Sequence, residues 1–233
     1  MAGILSIVAT PIGNLEDLSP RARAALERAD LVACEDTRRT GGLLHRLGIK
    51  AKLVSLHDHN ERQRVPSLIA ALESGQDVAV ASDAGTPLLS DPGFVLVREA
   101  AAHGIEIQAV PGPSAILAAL VGSALPPWPF TFVGFPPRKG GARRRFYRRF
   151  ASLDHTLVVF ESPHRLLPSL RDALEEFGDR PVSIGRELTK LHEETLRGSL
   201  GQVIEELGSR SSLKGEFVVV IGGFAETPRE ATD

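Results

Sequence analysis

The chain has 233 residues, 42% hydrophobic and 24% charged, a balance that excludes a disordered, collagenous or coiled-coil protein. Its formal net charge of −2 excludes a polycation overall. The average conceals a run of Arg138, Lys139, Arg143, Arg144, Arg145, Arg148 and Arg149 without one acid among them, so the remainder is correspondingly acidic. Cys34 is the only cysteine, which rules out an internal disulfide and a cysteine-rich zinc site. The N-terminus lacks the basic start of a signal peptide. The longest apolar stretch, around 115–121, falls far short of the roughly 20 residues of a membrane span, so a cytoplasmic protein is expected.

Short aliphatic runs bounded by turn residues predict strands over 5–9, 31–34, 52–56, 78–81 and 105–110. Between them, Ala22, Ala25, Leu26 and Ala29, then Val65, Leu68, Ile69 and Leu72, recur at the spacing of one helix face. Asn60 followed by Gln63 predicts a capping box at the second helix. Such alternation argues for a mainly parallel sheet covered by helices. The pattern breaks at Leu125-Pro126-Pro127-Trp128-Pro129, where prolines can neither continue a helix nor join a central strand.

Beyond the break, strands are expected over 131–133, 156–160, 182–185, 194–196 and 216–221. Ser162-Pro163 reads as an N-cap and first-turn pair for a helix carrying Leu166, Leu167, Leu170, Leu174 and Phe177. Another helix is expected through Val203, Ile204 and Leu207. The fold class is therefore two α/β domains, over 1–122 and 131–225, joined by a linker at 123–130 and followed by a frayed tail at 226–233.

Neither G-x-G-x-x-G nor G-x-x-x-x-G-K-[ST] is present. Instead, unusual loops follow the first five strands, where open α/β sheets place ligands: Thr10-Pro11-Ile12-Gly13-Asn14, Glu35-Asp36-Thr37-Arg38, His57-Asp58-His59-Asn60-Glu61, Ser82-Asp83-Ala84-Gly85-Thr86-Pro87 and Pro111-Gly112-Pro113-Ser114-Ala115. Each loop has a plainer explanation. Gly85 and Gly112 suit tight turns, Asp36 and Thr37 suit helix caps, and Asp91-Pro92 suits a helix start. His57 and His59 invite a metal, but neighbouring loop histidines are more often hydrogen-bonded or solvated, and none is expected. The arginine run also has a plain alternative, a solvated helix face. Co-occurrence of all these loops favours a ligand cleft.

In series, Val8-Ala9-Thr10-Pro11-Ile12-Gly13-Asn14-Leu15, Cys34-Glu35-Asp36-Thr37-Arg38, Ser82-Asp83-Ala84-Gly85-Thr86-Pro87, Val110-Pro111-Gly112-Pro113-Ser114-Ala115, Phe160-Glu161-Ser162-Pro163-His164-Arg165 and Arg186-Glu187-Leu188-Thr189-Lys190 resemble the motifs of the ribosomal RNA small subunit methyltransferase I family, of the tetrapyrrole-methylase fold. The resemblance runs from about residue 4 to 222. It implies a homodimer that uses S-adenosylmethionine, bound between its two α/β domains, to 2′-O-methylate a cytidine of small-subunit ribosomal RNA near the decoding centre. Neither DNA nor a membrane is an expected partner. The sequence departs from the pattern at Ala124, where glycine is expected, at Pro127-Trp128-Pro129, and at Pro137.

With that chemistry, Pro11, Asp83, Ala84, Gly85, Thr86, Ser114, Ala115, Phe160 and Glu161 are the expected cofactor-binding residues. A ribose hydroxyl is poorly acidic and benefits from a base, for which Glu35, Asp36, Glu187 and Lys190 are candidates, with Glu161 a further polar group at a strand end. Arg138, Lys139, Arg143, Arg144, Arg145 and Arg148 are the expected phosphate contacts, with Phe146 and Tyr147 able to stack on bases, although Phe146 equally suits the buried face of that helix. Two other functions suit parts of the sequence: a C-methyltransferase acting on a tetrapyrrole, and an RNA-binding module without catalysis.

Overall fold

A computed structural model describes residues 2–224, so the tail expected at 226–233 lies outside the described residues. The chain divides into two compact units, Met1–Ser114 and Ala115–Asp233. Among the described residues no helix is long and apolar enough to cross a membrane.

The first unit runs β1 (Leu5–Val8), α1 (Pro20–Arg28), β2 (Leu31–Cys34), α2 (Thr37–Leu47), β3 (Leu53–Ser55), α3 (Glu61–Glu73), β4 (Val78–Ala81), α4 (Phe94–Ala102) and β5 (Ile107–Val110). Its strands form one parallel sheet in the order β3-β2-β4-β1-β5. Both faces are covered, which explains why β4 is apolar at every position rather than alternating with polar residues. Val78 and Val80 pack with Leu68, Leu72 and Leu96 on one face, while Ala79 and Ala81 pack with Leu26 and Leu44 on the other. Because every strand points the same way, all five strand-end loops emerge at one edge.

Local chemistry sets the helix ends. Ser19 Oγ accepts from Ala22 N, with Pro20 at the first helical position of α1. Asp36 caps α2, and Gly48 ends it in the left-handed region. The expected capping box at α3 does not form. Asn60 Oδ1 accepts from His57 N at 2.8 Å and its amide reaches Ser55, so the side chain closes the preceding loop instead. Nor does Asp91-Pro92 open α4, which begins two residues later behind Gly93. Glu61, buried at the start of α3, supplies the cap from a distance: its Oε1 accepts from Gly93 N at 2.9 Å and Val95 N at 3.0 Å.

The second unit runs α5 (Ala115–Gly122), β6 (Phe130–Phe132), α6 (Gly140–Arg148), β7 (Thr156–Glu161), α7 (Leu166–Phe177), β8 (Pro181–Arg186), β9 (Glu194–Ser199), α8 (Leu200–Gly208) and β10 (Phe217–Ile221). Its sheet is mixed, in the order β6-β7-β10-β8-β9, with only the β6–β7 pair parallel. The division between units falls after Ser114 rather than at 122. Helix α5 buries Ile116, Ala119 and Leu120 and packs on β8 and β10, so this apolar helix belongs to the second sheet.

Helix α7 starts at Leu166, later than Ser162-Pro163 suggests. Ser162 Oγ accepts from Arg165 Nε at 3.0 Å instead of capping a helix N–H, and residues 163–165 form a turn. Ala124, the position where glycine is expected, has φ 62°, left-handed backbone that costs a residue with a Cβ.

Candidate functional site

In the first unit the edge loops are tied to one another. Thr10 N donates to Gly85 O at 2.9 Å and Gly85 N to Thr10 O at 3.0 Å, a two-bond bridge between the loops after β1 and β4. Thr10 Oγ1 also donates to Ser82 O at 2.9 Å, and Thr86 Oγ1 to Pro113 O at 3.3 Å, which brings in the loop after β5. Gly85 has φ 83°, and a Cβ there would lie 3.2 Å from Ile12 Cγ2. The glycine is thus demanded by the bridge and by the chain's own packing. Pro11 is buried and shapes its loop from inside, whereas Ala84 and the backbone of 111–112 face outward.

Acids crowd the same edge. Asp83 accepts from Asp36 N at 3.4 Å and faces the Arg39 guanidinium at 3.6 Å. Asp91 accepts from Ser82 Oγ at 2.5 Å; burial pushes its carboxyl above the ordinary value, against the lowering effect of that bond. Glu35, exposed on one side, lines a small cavity with Cys34, Ser82, Asp83 and Asp91. Desolvation raises its carboxyl, and Asp83, Asp91 and Asp58 push the same way. Asp36 behaves oppositely. Hydrogen bonds from the Arg38 side chain and backbone hold it down at about 2. It is an ionised helix cap, a poor proton acceptor. Among the described residues, no group of three or more His, Cys, Asp or Glu is arranged to hold a metal ion.

In the second unit, Glu187 and Lys190 meet at the end of β8. Lys190 Nζ donates to Glu187 Oε1 at 2.9 Å and to Glu216 Oε2 at 3.0 Å. Glu187 Oε1 also accepts from Glu216 N at 2.9 Å. Burial opposes both charges, yet these bonds outweigh it: Glu187 lies below its ordinary pKa and Lys190 above. Both groups are therefore held in their charged forms, and neither is a ready base. The turn is tight. Glu187 and Thr189 have φ 49° and 66°, and a Cβ at Gly215, where φ is 103°, would fall 2.5 Å from Glu187 Cγ.

Glu161, at the end of β7, is buried and pairs with Arg165 at 2.8 Å, also accepting from Ser162 N at 2.9 Å. Its Oε2 has no hydrogen-bond partner among the described residues. Phe160 packs edge-on against Phe132, with centroids 4.9 Å apart, and against Phe135 at 5.4 Å.

Residues 5–204 match the family of Tetrapyrrole (Corrin/Porphyrin) Methylases. The chain is 49% identical over 219 residues to the ribosomal RNA small subunit methyltransferase I of Mesorhizobium japonicum, covering 94% of this chain and 74% of that one. It is 47% identical over 221 residues to the protein of the same name from Thermotoga maritima, covering 95% and 99%. The chain belongs to the ribosomal RNA small subunit methyltransferase I family. A solved structure of similar fold is the uroporphyrin-III C-methyl transferase from Thermus thermophilus complexed with S-adenyl homocysteine. Its TM-score is 0.67 at 20% identity, with coverage of 94% of this chain and 97% of that one.

In this chain the basic run is not one cationic surface. Arg143 is buried, and its Nε donates to Asp172 Oδ2 at 2.7 Å. It ties α6 to α7 and is not available to a phosphate, contrary to the expectation from sequence. Arg144 faces Glu175 at 3.4 Å, and Arg148 holds Glu176 through two bonds of 2.8 and 2.9 Å. Arg138, Lys139 and Arg145 are exposed and form no ion pair among the described residues. The expected stacking residues are corrected too. Tyr147 is buried with its hydroxyl 2.7 Å from Ser169 Oγ, and Phe146 packs on Phe150 and the core. Their place among arginines signalled an interface, but the buried face of α6 is set by Arg143 and Tyr147, four residues apart, with Phe146 packed at its side.

Proposed function

We propose that this chain transfers a methyl group from S-adenosylmethionine to the 2′-hydroxyl of a cytidine in small-subunit ribosomal RNA near the decoding centre, acting in the cytoplasm as a homodimer. The observation that carries this reading is near-full-length identity of 44–49% to relatives named for small-subunit ribosomal RNA methylation.

The first unit suits the cofactor. The Thr10–Gly85 bridge fixes three loops whose neutral backbone groups suit a sulfonium, which is stabilised poorly by cations and needs no oxyanion device. Asp83 offers a carboxylate for the amino-acid ammonium or the ribose hydroxyls. Ser114, at the end of the loop after β5, is assigned a further cofactor contact. When bound, the cofactor supplies an electrophilic methyl on a positively charged sulfur.

The chain's contribution is to position the hydroxyl for in-line attack and to take its proton. Of the four candidate bases, Asp36 and Glu187 are held below their ordinary values and Lys190 above its own. Glu35 alone of the three carboxylates has its affinity for a proton raised, so we assign it the hydroxyl proton. Lys190, fixed by two carboxylates in the second unit, is assigned an orienting role toward an RNA phosphate.

The deciding experiment incubates the protein with methyl-labelled cofactor and, separately, ribosomal RNA, small subunits or a tetrapyrrole. Label in a cytidine 2′-O-methyl of the RNA supports the reading; label in the tetrapyrrole, or in neither, overturns it. Glu35→Gln should lower kcat by about 10²-fold or more with little change in KM for RNA.

A further inference from the structure

We propose that Phe135 is a stacking platform for an unpaired base of the RNA, flanked by Arg138 and Lys139 as its phosphate contacts. The proposal rests on the reading of this chain as an RNA methyltransferase and names where the second unit grips that RNA.

Phe135 is 52% exposed, against the ordinary tendency of a phenylalanine. It is not a loose side chain at a loop tip. Phe160 backs its ring, with centroids 5.4 Å apart and planes inclined by 53°. The Arg165 guanidinium lies over the ring, 5.8 Å from its centroid. That guanidinium is held in turn by Glu161 at 2.8 Å, by Ser162 Oγ at 3.0 Å and by Pro136 O at 3.2 Å. The backbone is fixed as well, since Phe160 N donates to Gly134 O at 3.0 Å and Pro136 is buried.

The chain thus commits a half-buried ion pair and a buried proline to holding an aromatic ring half in water. A ring already immobilised loses little entropy when a flat partner stacks on it. Three residues on, Arg138 and Lys139 stand exposed and without an ion pair among the described residues, while Arg143, Arg144 and Arg148 are spent on the acids of α7. A half-exposed aromatic ring, with cations that form no ion pair three and four residues on, suits a partner that offers flat rings and a negative backbone together. Single-stranded nucleic acid offers both. An acidic peptide offers only the charge.

The test measures binding of a single-stranded RNA oligomer carrying 2-aminopurine, over a range of salt, with cofactor affinity and thermal melting as controls. Phe135→Ala should weaken RNA binding about 5- to 150-fold, the range for losing one base–aromatic stack, with the salt slope unchanged. Phe135→Leu, which keeps apolar contact with Phe160, should also lose affinity and the 2-aminopurine quenching, whereas Phe135→Trp should retain both. Arg138→Ala with Lys139→Ala should instead flatten the salt slope by up to about two units. Wild-type affinity in folded Phe135→Ala and Phe135→Leu overturns the proposal, as does poly-glutamate competing as well as RNA. If the wild type binds RNA through Phe135 but methylates none, the functional reading fails while the platform stands. If it methylates RNA and the variants do so equally, the platform alone fails.

Discussion

Arg143 and Asp172 are joined by a 2.7 Å hydrogen bond between side chains that are only 6% and 12% exposed. This pair clasps α6 onto α7 beside the Tyr147–Ser169 hydroxyl contact, so a residue that looks cationic and available in the sequence is internal. Truncating one partner strands the other charge away from water. Asp172→Ala or Arg143→Ala should therefore cost about 3–5 kcal/mol in urea unfolding, while Arg145→Ala stays within about 0.5 kcal/mol. Equal, small effects for both arginines would make α6 a solvated helix.

Gly85 ties the loop after β4 to the loop after β1. Valine there must adopt φ near 83° and push against Ile12. The expected result of Gly85→Val is a folded first unit with the Thr10–Gly85 bridge disturbed and cofactor affinity lost by calorimetry. Unchanged affinity would remove these loops from the cofactor site.

Glu61 supplies a second distant clasp, capping α4 through Gly93 N and Val95 N. Glu61→Ala should destabilise by about 1–3 kcal/mol because a buried N–H at Gly93 and a part-buried one at Val95 lose their acceptor, with Glu61→Gln recovering part of it. Hydrogen exchange of the 93–97 amides should accelerate in the alanine variant; protection equal to wild type would refute the cap.

The Glu187–Lys190 contact sets a pH dependence. Since Glu187 has a lower pKa when folded, its contribution to stability is complete above the ordinary glutamate value and declines as pH falls through the depressed one. The melting temperature of Glu187→Gln should therefore trail wild type most at neutral pH, and the gap should close below about pH 4. A gap independent of pH would show that the carboxylate's charge contributes nothing.

Ala124 makes the simplest test. Its left-handed φ of 62° strains any residue with a Cβ, while glycine adds freedom to the unfolded chain. Because the strain, about 1–2 kcal/mol, exceeds that entropic cost, Ala124→Gly should raise stability by up to about 1 kcal/mol. A lower melting temperature would mean the turn tolerates alanine without strain.

Local order was legible in the residues themselves. Strands β2 and β4 fall where their aliphatic runs place them, and the helix faces of α1 and α3 bury Ala22, Leu26, Leu68 and Leu72 as their spacing implies. These features depend on neighbours within a few positions, where side-chain size, periodicity and backbone freedom act directly. Tertiary structure alone decided where the charges go. Nothing near Arg143 in sequence announces Asp172, and nothing near Gly93 announces Glu61. The same holds for Asn60, whose amide could close a loop or cap a helix, and for the four candidate bases, identical in type to any solvated acid or lysine. Asp36 is held down by Arg38, only two residues on. What sets Glu35 apart from a solvated acid, or Arg143 from Arg138, is desolvation and the charges brought by folding, and both fall off within a few ångströms in space, whatever the separation along the chain.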